Sequence, residues 1–339
     1  MGSRASTFLI LLVVLGVAAT PAQGDPTRVV RRQEHMATWI SITVPEPETP
    51  HVLRAIDDAF AEVARLEAVL SEWKPRTDIA RVNAQAGGEA VKVGPEVFEV
   101  LRAAHQVSVN SGGAFDVTIG ALWGAWDFRW QNPRVPGARE LADLVARIDY
   151  RRLELRPDAQ TVRLPRDGMK LALGGIAKGY VIDRASAVLH RHGYRSHLVE
   201  AGGDVYAAGR NGARRWRVGI RDPRGENLYG TIDIEDEAIA TSGHYERFFV
   251  KEGTRYHHLL DPKTGRPARG LASATVRASS CMLADAYSTA VFVAGARRGL
   301  AMVQAQKGLS AIVFLEGSYA VRDAAGLAAR VEVVVPRSQ

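Results

Sequence analysis

Cysteine is almost absent: Cys281 is the only one among 339 residues. A single thiol excludes an internal disulfide framework and any cysteine-based zinc site. It opens an apolar segment, where a lone Cys behaves as a small buried hydrophobe. Long apolar runs are also scarce. The one that stands out, FLILLVVLGVAA at 8–19, is too short for a comfortable membrane span. There is no run of five or more like charges. The 44 basic and 37 acidic residues are interspersed and leave a net charge of +7. That distribution argues against a nucleic-acid-binding face and suits an anionic small ligand or an acidic partner. No internal repeat or low-complexity linker divides the chain.

What is present is a chain that is 46% hydrophobic, ample for a large core. The apolar run after Arg4 has the length of a signal-peptide core, and the small residues of TPAQG follow it. Residues 1–24 therefore read as an export leader cleaved near Ala22 or Gly24, with an uncleaved anchor as the alternative. Residues 25–35 are polar and read as a mobile mature N-terminus.

Beyond them, MATWISITV at 36–44 alternates as a strand, with Met36, Thr38, Ile40, Ile42 and Val44 on one face. Thr49-Pro50 starts a helix, and a shorter helix follows at DIARVNAQ. Pro95 opens another long helix, ending at Gly112-Gly113. RLELRPDAQTVRL reads as a hairpin, and a second hairpin turns at Gly253. A helix from Cys281 to about Ala294 precedes a second helix and a strand at AIVFLE. Strands and helices come in blocks, not as a regular βαβ ladder. The pattern predicts an α+β fold with long antiparallel pairs.

Four stretches could carry chemistry. LALGGIAKGY at 171–180 resembles a phosphate cradle, but Lys178 precedes Gly179, which excludes a Walker A loop. Its glycines at 174, 175 and 179 also miss the dinucleotide spacing. Two glycines at a strand end allow close backbone approach, and the helix start that follows favours an anion. Lys178 on a first helical turn opposes the helix dipole, so it calls for a partner. Tight helix packing is the alternative. Asp285 and Thr289, four apart on a helix, share a face and offer hard oxygen ligands; local hydrogen bonding is the alternative. His257 and His258 point to opposite faces of a strand, so at most one serves a given site as a general base. In GAFD, Asp116 could hold a planar heterocycle, or Phe115 could simply enter the core.

Taken in order, eight blocks resemble the FAD:protein FMN transferases, the ApbE-like flavin transferases. They are MAT (36–38), LSEWKPRTDIARVN (70–83), GAFDVTIGAL (113–122), LALGGIAKGYVID (171–183), LVEAGGDVYAAG (198–209), IATSGHYERFF (239–249), HHLLDPKTGRP (257–267) and LADAYSTAVFVAG (283–295). The resemblance implies an α+β, T-fold-related architecture of antiparallel sheets packed with helices, with residues 36–335 as the catalytic domain. It implies an exported, periplasmic enzyme that binds FAD and Mg²⁺ and transfers FMN to a Thr or Ser hydroxyl of an acceptor protein, releasing AMP. The implied acceptor is a subunit of a membrane redox complex.

By position, Met36, Trp73, Ala114, Phe115, Asp116, Lys178, His258 and Leu259 would contact the nucleotide. Gly175, through its carbonyl, would bind the metal with Asp285 and Thr289. His258 is the best candidate base, with Asp285 the alternative. Ala172 stands where such proteins commonly carry Asp, Glu200 where Asn is common and His244 where Asp is common. The change at 172 puts FAD affinity in question. It keeps two further readings open: a Mg²⁺-dependent FAD pyrophosphatase and a non-catalytic FAD-binding protein.

Overall fold

The computed structural model describes residues 28–128 and 133–334. The segment 1–24, expected to be a leader, lies outside the described residues. Chain order begins with strands β1 (Val29–His35) and β2 (Thr38–Val44) and helices α1 (Pro50–Leu70) and α2 (Asp78–Ala84). Strand β3 (Val91–Lys92), helices α3 (Pro95–Asn110) and α4 (Ala138–Val145), and strands β4 (Glu154–Arg156) and β5 (Thr161–Arg163) follow. Helix α5 (Ala177–Arg191) leads into β6 (His197–Ala201), β7 (Asp204–Ala208), β8 (Trp216–Arg221), β9 (Leu228–Ile234) and β10 (Glu237–Gly243). The chain continues through β11 (Phe248–Lys251), β12 (Thr254–His257), β13 (Leu271–Ala278), α6 (Cys281–Gln304), β14 (Ser310–Leu315), β15 (Val321–Ala324) and β16 (Val331–Val333).

Eight strands form one sheet in the order β1-β2-β6-β7-β10-β13-β14-β15, with every neighbouring pair antiparallel. Helices α1, α5 and α6 pack against it, and Ile42, Val199, Ala240, Ala274 and Val313 meet Ile56, Val181 and Phe292 in one core. A second apolar cluster joins Val205, Ile239, Ile312 and Phe314 to the small sheet β16-β9-β8 through Val218, Ile232 and Ile234. A third gathers Leu122, Trp126, Leu141, Phe249 and Leu260, which anchors the hairpin β11-β12 on the 122–126 segment. This arrangement is the α+β architecture of antiparallel sheets and helices that the block pattern predicts.

Local signals act as expected at α1. Thr49 caps it by accepting from the Val52 amide at 3.2 Å, and Pro50 occupies its first turn. Helix α6 runs past the expected end near Ala294, but Gly295 at φ 75° breaks it into the two predicted pieces.

The N-terminal reading needs correction. Part of the segment expected to be mobile, Val29–His35, is an edge strand paired in register with β2. Only Val29 and Val30 are apolar in VVRRQEH, so the alternation is too weak to announce a strand. Met36 is not a strand residue either. It and Ala37 form the hairpin turn at φ 53° and 57°, a conformation usually supplied by Gly or Asn.

Candidate functional site

The cradle is built by three clamps on 171–179. Asn83 of α2 holds Leu171 from both sides: its Oδ1 accepts from the Leu171 amide at 2.6 Å and its Nδ2 donates to the Leu171 carbonyl at 3.1 Å. Ala172 is buried and donates its amide to the Val117 carbonyl at 2.8 Å. Glu72 accepts from the Leu173 amide at 3.2 Å. Beyond these the chain turns at Gly174-Gly175 and enters α5.

Gly175 faces the start of α6. A Cβ there would lie 3.2 Å from Thr289 Oγ1 and 3.2 Å from Phe115. Thr289 Oγ1 is 3.2 Å from Ser242 Oγ, which is itself 2.8 Å from Ser288 Oγ. One turn earlier, Asp285 accepts from the Gly179 amide at 3.1 Å. Burial pushes the Asp285 carboxyl up, and the nearby Asp204 charge adds to the rise; Lys178 and the Gly179 N–H oppose it. Helix α5 reciprocates. Asp183 accepts from the Cys281 and Met282 amides at 2.7 and 2.9 Å, capping α6 together with Ser280. The two helix starts are thus clasped together, with Asp285 and Thr289 on the face toward Gly175.

Lys178 has the partner its position demanded. Its ammonium sits 2.5 Å from Asp204 of β7 and 3.3 Å from the Ala201 carbonyl. Burial opposes that charge, but Asp204 and Asp285 outweigh it and raise the Lys178 pKa. The Met36 turn lies at this same end of the sheet, because Ile40 pairs with Ala201.

His258 follows β12. Its amide donates to the Arg247 carbonyl at 3.0 Å and its Nδ1 lies 3.2 Å from the same oxygen. A carbonyl only accepts, so Nδ1 carries the proton and Nε2 presents its lone pair. Burial, together with the charges of Arg247 and Lys178, lowers the ring to about 4, against the pull of the Arg247 carbonyl. His257 points the other way, as the strand alternation requires. It is buried against Phe292, and its Nε2 donates to the Ala268 carbonyl at 3.0 Å. Leu259 belongs to the main core.

The remaining candidates divide by exposure. Trp73 is 73% exposed, with its ring 6.0 Å from that of Trp123. Ala114 and Phe115 are buried. The Asp116 carboxylate is engaged by its own loop: Oδ1 accepts from the Thr118 amide and hydroxyl at 2.8 and 2.7 Å, and Oδ2 from the Tyr150 amide at 3.0 Å. Its visible work is to fold the 114–120 loop beside Gly175. Glu72 and Asn83 were not singled out from the sequence, whereas Ser242 stood out as part of a hydroxyl-rich turn and Asp204 as the end of the AGGD stretch. Each lies inside a quoted block, but only the fold shows that Glu72 and Asn83 hold backbone groups of the cradle while Asp204 and Ser242 meet the Lys178 and Thr289 side chains.

Among the described residues, no group of three or more His, Cys, Asp and Glu side chains is arranged to hold a metal ion. What the fold brings together is Gly175, whose added Cβ would meet Thr289, and Asp285 one turn earlier on the Gly179 amide. The carboxylate and hydroxyl oxygens of Asp285 and Thr289 are chemically suited to a hard divalent cation, not to zinc.

Comparison with known proteins gives the family. The ApbE family model matches residues 36–313. A FAD:protein FMN transferase of Treponema pallidum (strain Nichols) is 35% identical over 300 residues, covering 84% of this chain and 83% of that protein. The crystal structure of the ApbE protein of Thermotoga maritima is similar with a TM-score of 0.83 at 31% identity, covering 90% of this chain and all of the other. The flavin transferase ApbE of Vibrio cholerae gives a TM-score of 0.78 at 26% identity, covering 89% and 99%. By this match over most of its length, the chain belongs to the ApbE family.

Proposed function

We propose that the protein is a Mg²⁺-dependent FAD:protein FMN transferase. It would move FMN from FAD to a Thr or Ser hydroxyl of an acceptor protein and release AMP. The observation that carries the reading is the grouping around Lys178. A half-buried ammonium paired with Asp204, the side-chain oxygens of Asp285 and Thr289, and a histidine with a free Nε2 are carried by the starts of α5 and α6 and the end of β12. Membership of the ApbE family and relatives named as flavin transferases support the same conclusion.

Gly175, Asp285 and Thr289 would hold Mg²⁺. When bound, the ion neutralises charge on the pyrophosphate as AMP departs. Lys178 would face the nucleotide with its ammonium fixed by Asp204 and stabilise charge on the transferred phosphoryl group. Trp73 offers an open ring face to a planar base.

His258 acts as the base. Its Nε2 takes the acceptor hydroxyl proton as the threonine oxygen bonds to the FMN phosphorus and the bridging P–O bond to AMP breaks. His258 suits this role better than Asp285. The Asp285 carboxyl already accepts from Gly179 and belongs to the donor set, whereas His258 Nε2 is uncommitted by its own tautomer.

The acceptor is proposed to belong to a membrane redox complex, and the site of action to be the periplasm after removal of the 1–24 leader. Among the described residues no helix is long and apolar enough to cross a membrane. The test is to incubate the mature protein with FAD, Mg²⁺ and an acceptor domain, then look for flavin fluorescence on a denaturing gel. A fluorescent acceptor band is expected. Free FMN and AMP without a band would mean hydrolysis instead.

A further inference from the structure

The segment joining α1 to α2 carries a carboxyl that the reaction above does not use. Glu72 follows the C-terminus of α1 and precedes the exposed Trp73. Its Oε2 accepts from the Leu173 amide at 3.2 Å, two residues before Gly175. The buried Trp123 indole N–H lies against the same carboxyl and favours its charged form, without closing a well-aligned bond. Trp123 in turn stacks at a tilt of 32° against Trp73. One carboxyl therefore holds the backbone of the cradle and lies beside the indole of Trp123, the inner ring of the Trp73–Trp123 pair. Burial pushes it up to about 7, the mark of a carboxyl held away from water for its contacts. The neighbouring position in the cradle, Ala172, contributes no polar side chain.

We propose that Glu72 is a positioning residue for flavin transfer, fixing the Trp73–Trp123 ring pair at a set distance from the Gly175 turn by binding the Leu173 amide while the Trp123 indole N–H lies against the same carboxyl. The inference rests on the FAD-binding reading of this site. A carboxylate can accept from both N–H groups, a glutamine oxygen from only one at full strength, and an alanine from neither. Loss of the carboxylate should therefore loosen FAD placement and leave the phosphoryl chemistry largely intact.

The experiment compares Glu72→Ala, Glu72→Gln and Trp123→Phe for KM of FAD, kcat of acceptor labelling, and tryptophan emission. Glu72→Ala is expected to raise KM for FAD by about tenfold or more, since hydrogen bonds to charged groups are the stronger class, with kcat within about threefold. Glu72→Gln should fall between it and wild type. Tryptophan emission should shift in both Glu72 variants. Combining Glu72→Gln with Trp123→Phe should cost less than the two changes added, because both remove the same contact. An unchanged KM in a folded Glu72→Gln protein overturns the proposal, as does a fall in kcat alone. If Glu72→Ala does not fold, the glutamine variant and the combined variant decide by the same criteria. A wild-type protein that binds no FAD overturns both this inference and the reading it rests on. Wild-type labelling with no Glu72 effect overturns the inference alone.

Discussion

Gly179 and Cys281 meet so closely that a Cβ on Gly179 would lie 2.2 Å from the Cys281 carbonyl oxygen. The obstacle is backbone, with the Cys281 carbonyl carbon at 2.5 Å and the Met282 amide nitrogen at 2.7 Å, so no rotamer change relieves it. Gly179→Ala should part the starts of α5 and α6 and separate Asp285 from the Gly179 amide. A destabilisation of about 2–3 kcal/mol, the scale of overpacking in a tight core, is expected in chemical denaturation. Gly175→Ala provides the contrast. Its nearest neighbours, Phe115 and Thr289, are side chains at 3.2 Å that can give way slightly. That variant should keep most of its stability and lose divalent-cation affinity, measurable by calorimetric titration with Mg²⁺.

In the Lys178–Asp204 pair Asp204 is buried and Lys178 half-buried, and removing one partner strands the other. Asp204→Ala should cost about 3–5 kcal/mol, the usual penalty for an uncompensated buried charge. Urea denaturation of both Asp204→Ala and Asp204→Asn checks this, with the Asn variant expected to be the milder because it keeps an acceptor for the ammonium.

His258 should dominate the rate. His258→Ala is expected to slow labelling by roughly 10²–10⁴-fold, the range for loss of a general base, with Tm changed little. Its lowered pKa of about 4 also fixes the sign of the pH response. The neutral base form prevails above that value, so the acid limb of the labelling rate should lie well below pH 6.5. A pH series at saturating FAD and Mg²⁺ locates it.

His197 predicts a separate dependence, of stability. Its Nδ1 donates to the Tyr194 carbonyl at 3.0 Å and its Nε2 accepts from the Ser186 hydroxyl at 2.7 Å. Burial, then the facing His190, lowers it to about 4, against about 6.5 in an unfolded chain. Between those values the unfolded chain binds the extra proton, so stability is full above pH 6.5 and declines as pH falls toward 4. The full decline is on the order of 3 kcal/mol for this group. Buried His257, lowered to about 3, acts in the same direction. Thermal melts at pH 7.5 and pH 5 should show the drop, and His197→Gln should reduce it.

Much of this was legible in the residue pattern, for reasons particular elements show. Helix α1 announces itself by Thr49, Pro50 and a continuous stripe, and the α6 break by Gly295. Asp285 and Thr289 could be placed together because helical spacing is local. The misfit of Lys178 with the helix dipole correctly called for a partner, but spacing could not identify it as Asp204, which arrives from β7. The same limit hid Glu72 and Asn83, whose targets lie 101 and 88 residues away. Strand β1 was missed because its inward face is largely polar, with His35 reaching Glu67 at 3.1 Å in place of an apolar contact. Helix α4, the core strand β13, and strands β15 and β16 were not anticipated either. Strand β13 is nearly all buried and so lacks alternation, and β16 is three residues long.

The most direct test of the central claim is mass analysis of an acceptor domain after reaction with the mature protein, FAD and Mg²⁺, with AMP measured in the same sample. The account predicts one FMN added in phosphoester linkage to a threonine or serine for each AMP released, abolished by chelation and restored by Mg²⁺. AMP and free FMN at full rate with an unmodified acceptor, or FAD bound with neither product formed, would contradict it.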